Sequence, residues 1–354
     1  MEQIMKLTNE QKQVLYNVFS DIKNGKKQIS IGGFAGTGKS VLVSYLTKFY
    51  PNFGVCAYTG KAGNVLRKKG ICGASTIHSR IYKPFFENGV MYFDLNPEPG
   101  CDGFIVDESS MVSKEIYDDL KSYNMPMVFV GDHGQLEPVD SNFNLMLKPD
   151  YCLEEIHRNA GPIAKFAEHL RNGLNPRGFR EEENDVEFVS NLSDNLLTEV
   201  NQVICAFNNT RVSVNSQIRN ALGYEGILNV GERIMCLKNN RTKGLFNGMQ
   251  GTVVNLYRGP RGRKLLDFEF DGFIYNGVPY EEDQFGKEKY KIKHGGGDSP
   301  NPFDYAYCVT AHKSQGDEWN KVLVIEQRCK NWDHRRWTYT TASRAKEKLF
   351  WKTA

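Results

Sequence analysis

The sequence predicts an α/β protein with two parallel-sheet domains, a β-hairpin insert in the first and a small β-barrel insert in the second. Three observations lead there. Short apolar runs alternate with helical segments in both halves, the signature of parallel strands joined by crossover helices. The length of 354 residues suits about two domains. Between residues 232 and 300 the texture changes to short strands separated by Gly/Pro-rich turns, as in a small antiparallel barrel.

In the first half, residues 28–34 read as a buried strand, 39–50 as a helix, 54–58 as a strand and 60–69 as a helix. Segments 103–107 and 126–131 read as strands flanking a helix near 112–122. Ahead of them, Asn88-Gly89 stands between apolar arms at 83–94, the strongest short hairpin signal. A two-residue turn pairs Glu87 with Val90, Phe86 with Met91 and Phe85 with Tyr92, so both faces carry large side chains. The second half begins with a helix near 162–172, followed by a strand at 202–207, a helix at 209–221 and strands at 305–309, 321–325 and 348–351. The barrel insert takes its strands from runs such as 251–257 and 265–270, divided by the turn Gly259-Pro260-Arg261-Gly262. The expected division is 1–150 for the first domain, 151–231 with 301–354 for the second, and 232–300 for the barrel.

Composition bounds the function only loosely. Hydrophobic residues at 40% and charged residues at 25% are ordinary for a globular chain, and a net charge of +3 permits nucleic-acid binding without demanding it. The eight cysteines include no CxxC pair, which argues against a zinc or iron–sulfur site. No signal peptide and no apolar run near ~18 residues are present, so the expectation is a cytoplasmic protein with free thiols and no membrane association.

The most chemical segment is Gly33-Phe34-Ala35-Gly36-Thr37-Gly38-Lys39-Ser40, between a predicted strand and a predicted helix. Its glycines let backbone N–H groups turn inward around phosphates, Lys39 supplies a cation for the β/γ-phosphates, and the Ser40 hydroxyl can ligate Mg2+. Asp107-Glu108 ends a later apolar strand. There Asp107 would hold Mg2+ and Glu108 would polarise the attacking water. ATP and Mg2+ are the cofactors this pattern calls for.

Further segments follow in a fixed order: Leu7-Thr8-Asn9-Glu10-Gln11, Thr59-Gly60-Lys61-Ala62, Thr76-Ile77-His78, Gly131-Asp132-His133-Gly134-Gln135-Leu136-Glu137-Pro138 and Ile156-His157-Arg158. The series closes with Thr310-Ala311-His312-Lys313-Ser314-Gln315-Gly316-Asp317-Glu318 and Tyr339-Thr340-Thr341-Ala342-Ser343-Arg344. This ordered set resembles the superfamily 1 helicases of the 5′→3′ group, most of all the RecD/Dda-like branch. The resemblance implies two RecA-like domains and a Src-homology-3-like barrel. It implies that Gln11 reads adenine, that Thr37 belongs to the phosphate cradle with Gly33, Gly36 and Gly38, and that Glu318 meets the ribose. It makes Gln135 the γ-phosphate sensor and Arg158 and Arg344 the arginine fingers. Thr59, Lys61, Thr76, His78, Thr310, His312 and Lys313 match strand-contacting positions, and the hairpin with Phe85 and Phe86 matches the strand-separating pin.

The implied function is an ATP-dependent DNA helicase moving 5′→3′ on single-stranded DNA and unwinding forked duplex as a monomer. The short flanks of the motif series imply a stand-alone core. Two other readings stay open: a translocase that strips bound proteins without efficient unwinding, and an ATP-gated clamp. The direction of movement and the choice of DNA over RNA come from the resemblance alone.

Overall fold

The computed structural model describes residues 7–58, 60–87, 90–137, 143–155, 161–180, 185–238, 240, 243, 245, 247–270, 272–289, 299–330 and 332–354, with side chains except at 60, 61, 64 and 84–93. The chain opens on helix α1 (Asn9–Lys23), fixed at its start by a capping box: Thr8 accepts the Gln11 N–H while Gln11 Oε1 accepts the Thr8 N–H. Then come β1 (Gln28–Gly33), α2 (Lys39–Phe49), β2 (Phe53–Ala57), α3 (Gly60–Lys68), β3 (Ser75–Thr76), α4 (Ile77–Ile81), β4 (Tyr82–Glu87), β5 (Val90–Leu95), β6 (Gly103–Asp107), α5 (Lys114–Ser122), β7 (Met127–Gly131) and β8 (Tyr151–Leu153). Strands β3-β2-β6-β7-β1-β8 form one sheet in that order, and every pairing in it is parallel. A parallel sheet sends all its carboxyl ends to one edge, so the turns after β1, β6 and β7 meet there.

Strands β4 and β5 form the hairpin in the expected register, with Phe85 opposite Tyr92, Phe86 opposite Met91 and Glu87 opposite Val90. Its base is fixed to α5 and the residue that caps that helix at its carboxyl end. The Tyr123 hydroxyl meets the carbonyls of Ile81 and Asn96, and the Tyr82 hydroxyl donates to Asp119.

The second half contains α6 (Pro162–Arg171), β9 (Val186–Phe188), α7 (Asp194–Glu199), β10 (Gln202–Cys205) and α8 (Asn208–Ala221). Five strands then close a barrel: β11 (Arg233–Cys236), β12 (Gln250–Arg258), β13 (Lys264–Phe270), β14 (Phe273–Glu281) and β15 (Asn301–Tyr305). The barrel is not wholly antiparallel as expected, because β14 and β15 run parallel over a two-residue pairing. The chain returns through β16 (Cys308–Thr310), β17 (Trp319–Ile325), α9 (His334–Ala342) and β18 (Ala345–Lys352). The second sheet is parallel throughout, in the order β16-β10-β17-β18-β9.

The expected single strand at 305–309 is two: Tyr305 ends the barrel strand and Cys308 begins the sheet strand. Residues 301–309 are all buried, so the apolar run continues across the handover and periodicity cannot divide it. The helix expected near 112–122 starts at Lys114, where Ser113 caps it. Apolar clusters fill both faces of the first sheet, with Val18, Ile31 and Leu46 on one side and Ile77, Phe104 and Leu120 on the other. A further cluster joins the halves, combining Phe34 and Leu136 with Phe166, Trp337, Tyr339 and Trp351.

Candidate nucleotide cleft and strand groove

The turn after β1 is glycine-built for a reason. Gly36 and Gly38 take φ of 82° and 80°, a region costly for side-chain-bearing residues. A Cβ on Gly33 would lie 2.8 Å from Thr37 Oγ1. The loop is held from within, since Thr37 Oγ1 donates to the Phe34 carbonyl at 2.8 Å. Gln11 Nε2 donates to the Thr37 carbonyl at 3.0 Å, so the expected adenine reader also braces the phosphate loop. Lys39 lies at the first residue of α2, its Nζ 2.8 Å from Gly33 O, 3.0 Å from Phe34 O and 3.7 Å from Asp132 Oδ2. Ser40 follows in the same turn of α2.

At the end of β6, Asp107 Oδ1 accepts the Glu108 N–H at 3.0 Å. Glu108 itself adopts φ 53°, a left-handed conformation rare outside glycine. Burial, then the Asp107 charge, pushes the Glu108 carboxyl up to about 7, while Arg344 and Lys39 pull it down. Burial likewise raises Asp107, opposed by the Glu108 N–H and by Lys39. Glu108 Oε2 is buried with no hydrogen-bond partner among the described residues.

The segment after β7 carries a hub that the sequence did not single out. Asp132 is 2% exposed; its Oδ1 accepts the Gly134 N–H at 2.9 Å, and its Oδ2 accepts Gln135 Nε2 at 3.2 Å and the Tyr339 hydroxyl at 2.7 Å. The Tyr339 oxygen also accepts the Ala35 N–H at 2.6 Å. His133, flanked by Phe34 at a ring distance of 4.1 Å, lies in the turn and is held below its usual pKa by burial. Other bonds tie the halves at this segment. Gln315 Nε2 donates to Leu136 O at 2.5 Å, Arg336 to Gln135 O at 3.1 Å, and the Leu136 N–H to Thr340 Oγ1 at 2.9 Å. The signal available in the sequence was acid chemistry: a buried aspartate requires donors, and two of them are local, but the third, Tyr339, lies 207 positions away.

Arg344 is buried, with its guanidinium spanning Thr340 O, Asp317 O and Ser343 Oγ. Glu318 pairs with Lys346 at 3.5 Å and lies close enough to raise both Asp107 and Glu108. Arg158 falls outside the described residues.

The described strand-contacting candidates come from both halves, around β3 of the first sheet and from the end of β16 of the second onward. Thr76 caps α4, its Oγ1 accepting the Ser79 N–H at 3.1 Å. The His78 ring lies 5.6 Å from that of Tyr82. Thr310 ends β16, burial lowers His312, and Lys313 donates to Asn247 of the barrel segment while burial lowers its pKa. Thr59 lies outside the described residues, Lys61 is placed on α3, and Phe85 and Phe86 on β4.

Fold and cleft together define a P-loop protein of two parallel-sheet halves, with motif segments of one half bonded to those of the other. A family model described as an AAA domain matches residues 6–191, and the chain belongs to that family. A second, described as a UvrD-like helicase C-terminal domain, matches residues 305–350. The ATP-dependent RecD2 DNA helicase of Deinococcus radiodurans is 27% identical over 379 residues, covering 97% of this chain and 48% of the relative. The ATP-dependent DNA helicase dda of Enterobacteria phage T4 is 31% identical over 189 residues, covering 47% of this chain and 43% of that one. The chain thus spans about half the length of the curated relatives it matches. Bacteroides Pif1 bound to ssDNA shares the fold, with a TM-score of 0.59 at 19% identity over 98% of this chain and 92% of that one. The chain's similarity to RecD2 runs through both of its halves, and its similarity to dda covers about half of it.

Proposed function

We propose that this chain is an ATP-dependent DNA helicase that moves 5′→3′ on single-stranded DNA and unwinds duplex. The observation that supports it most is the set of bonds from Gln315, Arg336, Tyr339 and Thr340 of the second half to the Asp132–Leu136 segment beside the phosphate loop. A nucleotide held by one half is then felt by the other. Relative motion of the two halves is how such motors couple turnover to movement.

ATP is the substrate. Gly33, Gly36, Thr37, Gly38 and Lys39 cradle its phosphates, Gln11 its adenine and Glu318 its ribose. Glu108 takes a proton from water as the water oxygen bonds to the γ-phosphorus. The bond to the β–γ bridging oxygen breaks, and ADP and phosphate leave. Lys39, Arg158 and Arg344 offset the charge that develops. Mg2+ fits this donor set: Ser40 offers a hydroxyl and Asp107 a buried carboxylate whose charge burial disfavours and a cation would offset. Mg2+ needs only one or two carboxylates beside the phosphates, whose charge it neutralises. Among the described residues no group of three or more His, Cys, Asp or Glu could hold a metal unaided.

Thr59, Lys61, Thr76, His78, Thr310, His312 and Lys313 contact the strand backbone, and the β4–β5 hairpin with Phe85 and Phe86 separates the fork. The units are 1–150, a second parallel-sheet unit of 151–231 with 306–354, and a barrel of 232–305, extended past the expected 300 because β15 (Asn301–Tyr305) closes it. The chain acts as a cytoplasmic monomer. All eight cysteines are free thiols, and no described helix is long and apolar enough to cross a membrane.

The test is ATP turnover with and without single-stranded DNA. The strand should stimulate turnover strongly and Glu108→Gln should abolish it; a DNA-independent rate contradicts the reading. Shortening residues 84–93 to a bare turn should leave DNA-stimulated turnover and lower unwinding of a forked duplex. Unchanged unwinding would move the wedge elsewhere.

A further inference from the structure

The Asp132 hub decides which way the Gln135 side chain faces. A carboxylate only accepts hydrogen bonds, so the amide can approach it only through Nε2, at 3.2 Å. The carbonyl end is thereby turned away. Gln135 is 5% exposed, and its Oε1 is buried with no partner among the described residues. A buried amide oxygen without a donor is costly. It is also the kind of acceptor that a nucleophilic water can donate to.

The hub in turn depends on the second half. Ala35 N–H can only donate, so at 2.6 Å the Tyr339 oxygen is the acceptor and its single O–H is directed to Asp132 Oδ2 at 2.7 Å. Tyr339 is 1% exposed, and its hydroxyl therefore joins α9, the phosphate loop and the segment after β7 at one point. Lys39, 3.7 Å from the same carboxylate oxygen, is also the phosphate-loop lysine.

We propose that Tyr339 is a positioning residue for hydrolysis: through Asp132 it fixes the Gln135 amide with Oε1 presented to the attacking water. The water orientation then exists only while α9 is docked on the first half. This makes turnover conditional on closure, independently of the arginine fingers. The proposal rests on the ATPase reading above and adds a residue and a route to it.

Tyr339→Phe keeps the ring in its buried site and removes only the hydroxyl. In the full chain, DNA-stimulated kcat should fall about tenfold, the scale of one hydrogen bond to a charged group. Affinity for a fluorescent ATP analogue should stay within about twofold, the small change expected of an interaction made only in the transition state. The decisive readout is coupling. Gln135→Ala should lose kcat by itself, and adding Tyr339→Phe to it should cost nothing further. Asp132→Asn, which turns a donor toward Gln135, should give the same kcat loss and the same absence of additivity; it answers the question should Tyr339→Phe unfold. Unchanged kcat in Tyr339→Phe, or its full loss persisting in the Gln135→Ala background, overturns the proposal alone. A wild-type chain without ATP turnover overturns the proposed function and this route with it.

Discussion

The two parallel sheets differ most where their first crossover begins. In the first sheet β1 runs into a glycine turn with φ of 82° and 80° before α2. In the second, β10 runs through Ala206 and Phe207 into α8 with no glycine. There the Ala206 and Phe207 N–H groups are 3.0 and 3.4 Å from Gln327 Oε1, so the chain's own amide takes the place a phosphate oxygen would need. The same architecture carries phosphate chemistry only where the turn is built for it. The second sheet contributes to the cleft through α9 instead, with Tyr339 and, just beyond it, Arg344.

That asymmetry can be broken from either side. Lys39→Ala should lower ATP turnover on the order of a hundredfold or more, as loss of a charge-stabilising group does. Adding Asn208→Lys, the corresponding first position of α8, should restore nothing. Recovery in the double variant would show that the second turn can cradle phosphate after all.

Arg344→Ala should keep ATP binding and lose turnover by up to about 10³-fold, the range of arginine fingers elsewhere. Its effect should not add to that of Arg158→Ala, because both act on one transition state. Additive losses would separate their roles. A thermal melt must accompany the measurement, since the Arg344 guanidinium also holds three groups around α9.

A smaller effect is expected at the turns themselves. Gly36→Ala places a side chain at φ 82°, a strain of about 1–2 kcal/mol, and should weaken ATP binding roughly tenfold. Phe207→Ala should lower the melting temperature, because its ring packs 5.3 Å from Trp332, without changing ATP affinity. Equal losses of ATP affinity would erase the distinction between the two turns.

The smallest effect concerns the strand groove. Lys313→Ala should reduce the salt dependence of single-strand binding by about 0.7 in log–log slope, the share of one phosphate contact. An unchanged slope would leave Lys313 as a tether to Asn247 of the barrel segment only.

The parts of the molecule that local chemistry determines were readable in the sequence. The phosphate loop, the strand–helix alternation and the hairpin register follow from spacing and turn residues, and the structure matches them. Contacts between distant segments were not readable. Tyr339 opens the last motif segment, but no local pattern assigns it a role, because its bond to Asp132 spans 207 positions. Thr76 shows a different limit. Its side chain was read for strand contact, and the structure uses it to cap α4, a role that a threonine ahead of a short apolar turn also signals. The handover at Tyr305 and Cys308 was hidden because β15 and β16 are buried on both faces up to Val309, which removes the alternation that marks a boundary.

The most direct measurement is strand separation on duplexes with either a 5′ or a 3′ single-stranded tail, using the wild-type chain and Glu108→Gln with ATP. The account predicts unwinding of the 5′-tailed duplex by the wild type, little of the 3′-tailed one, and none of either by Glu108→Gln. Strand separation by Glu108→Gln, or a wild type that hydrolyses ATP but opens neither duplex, would contradict it.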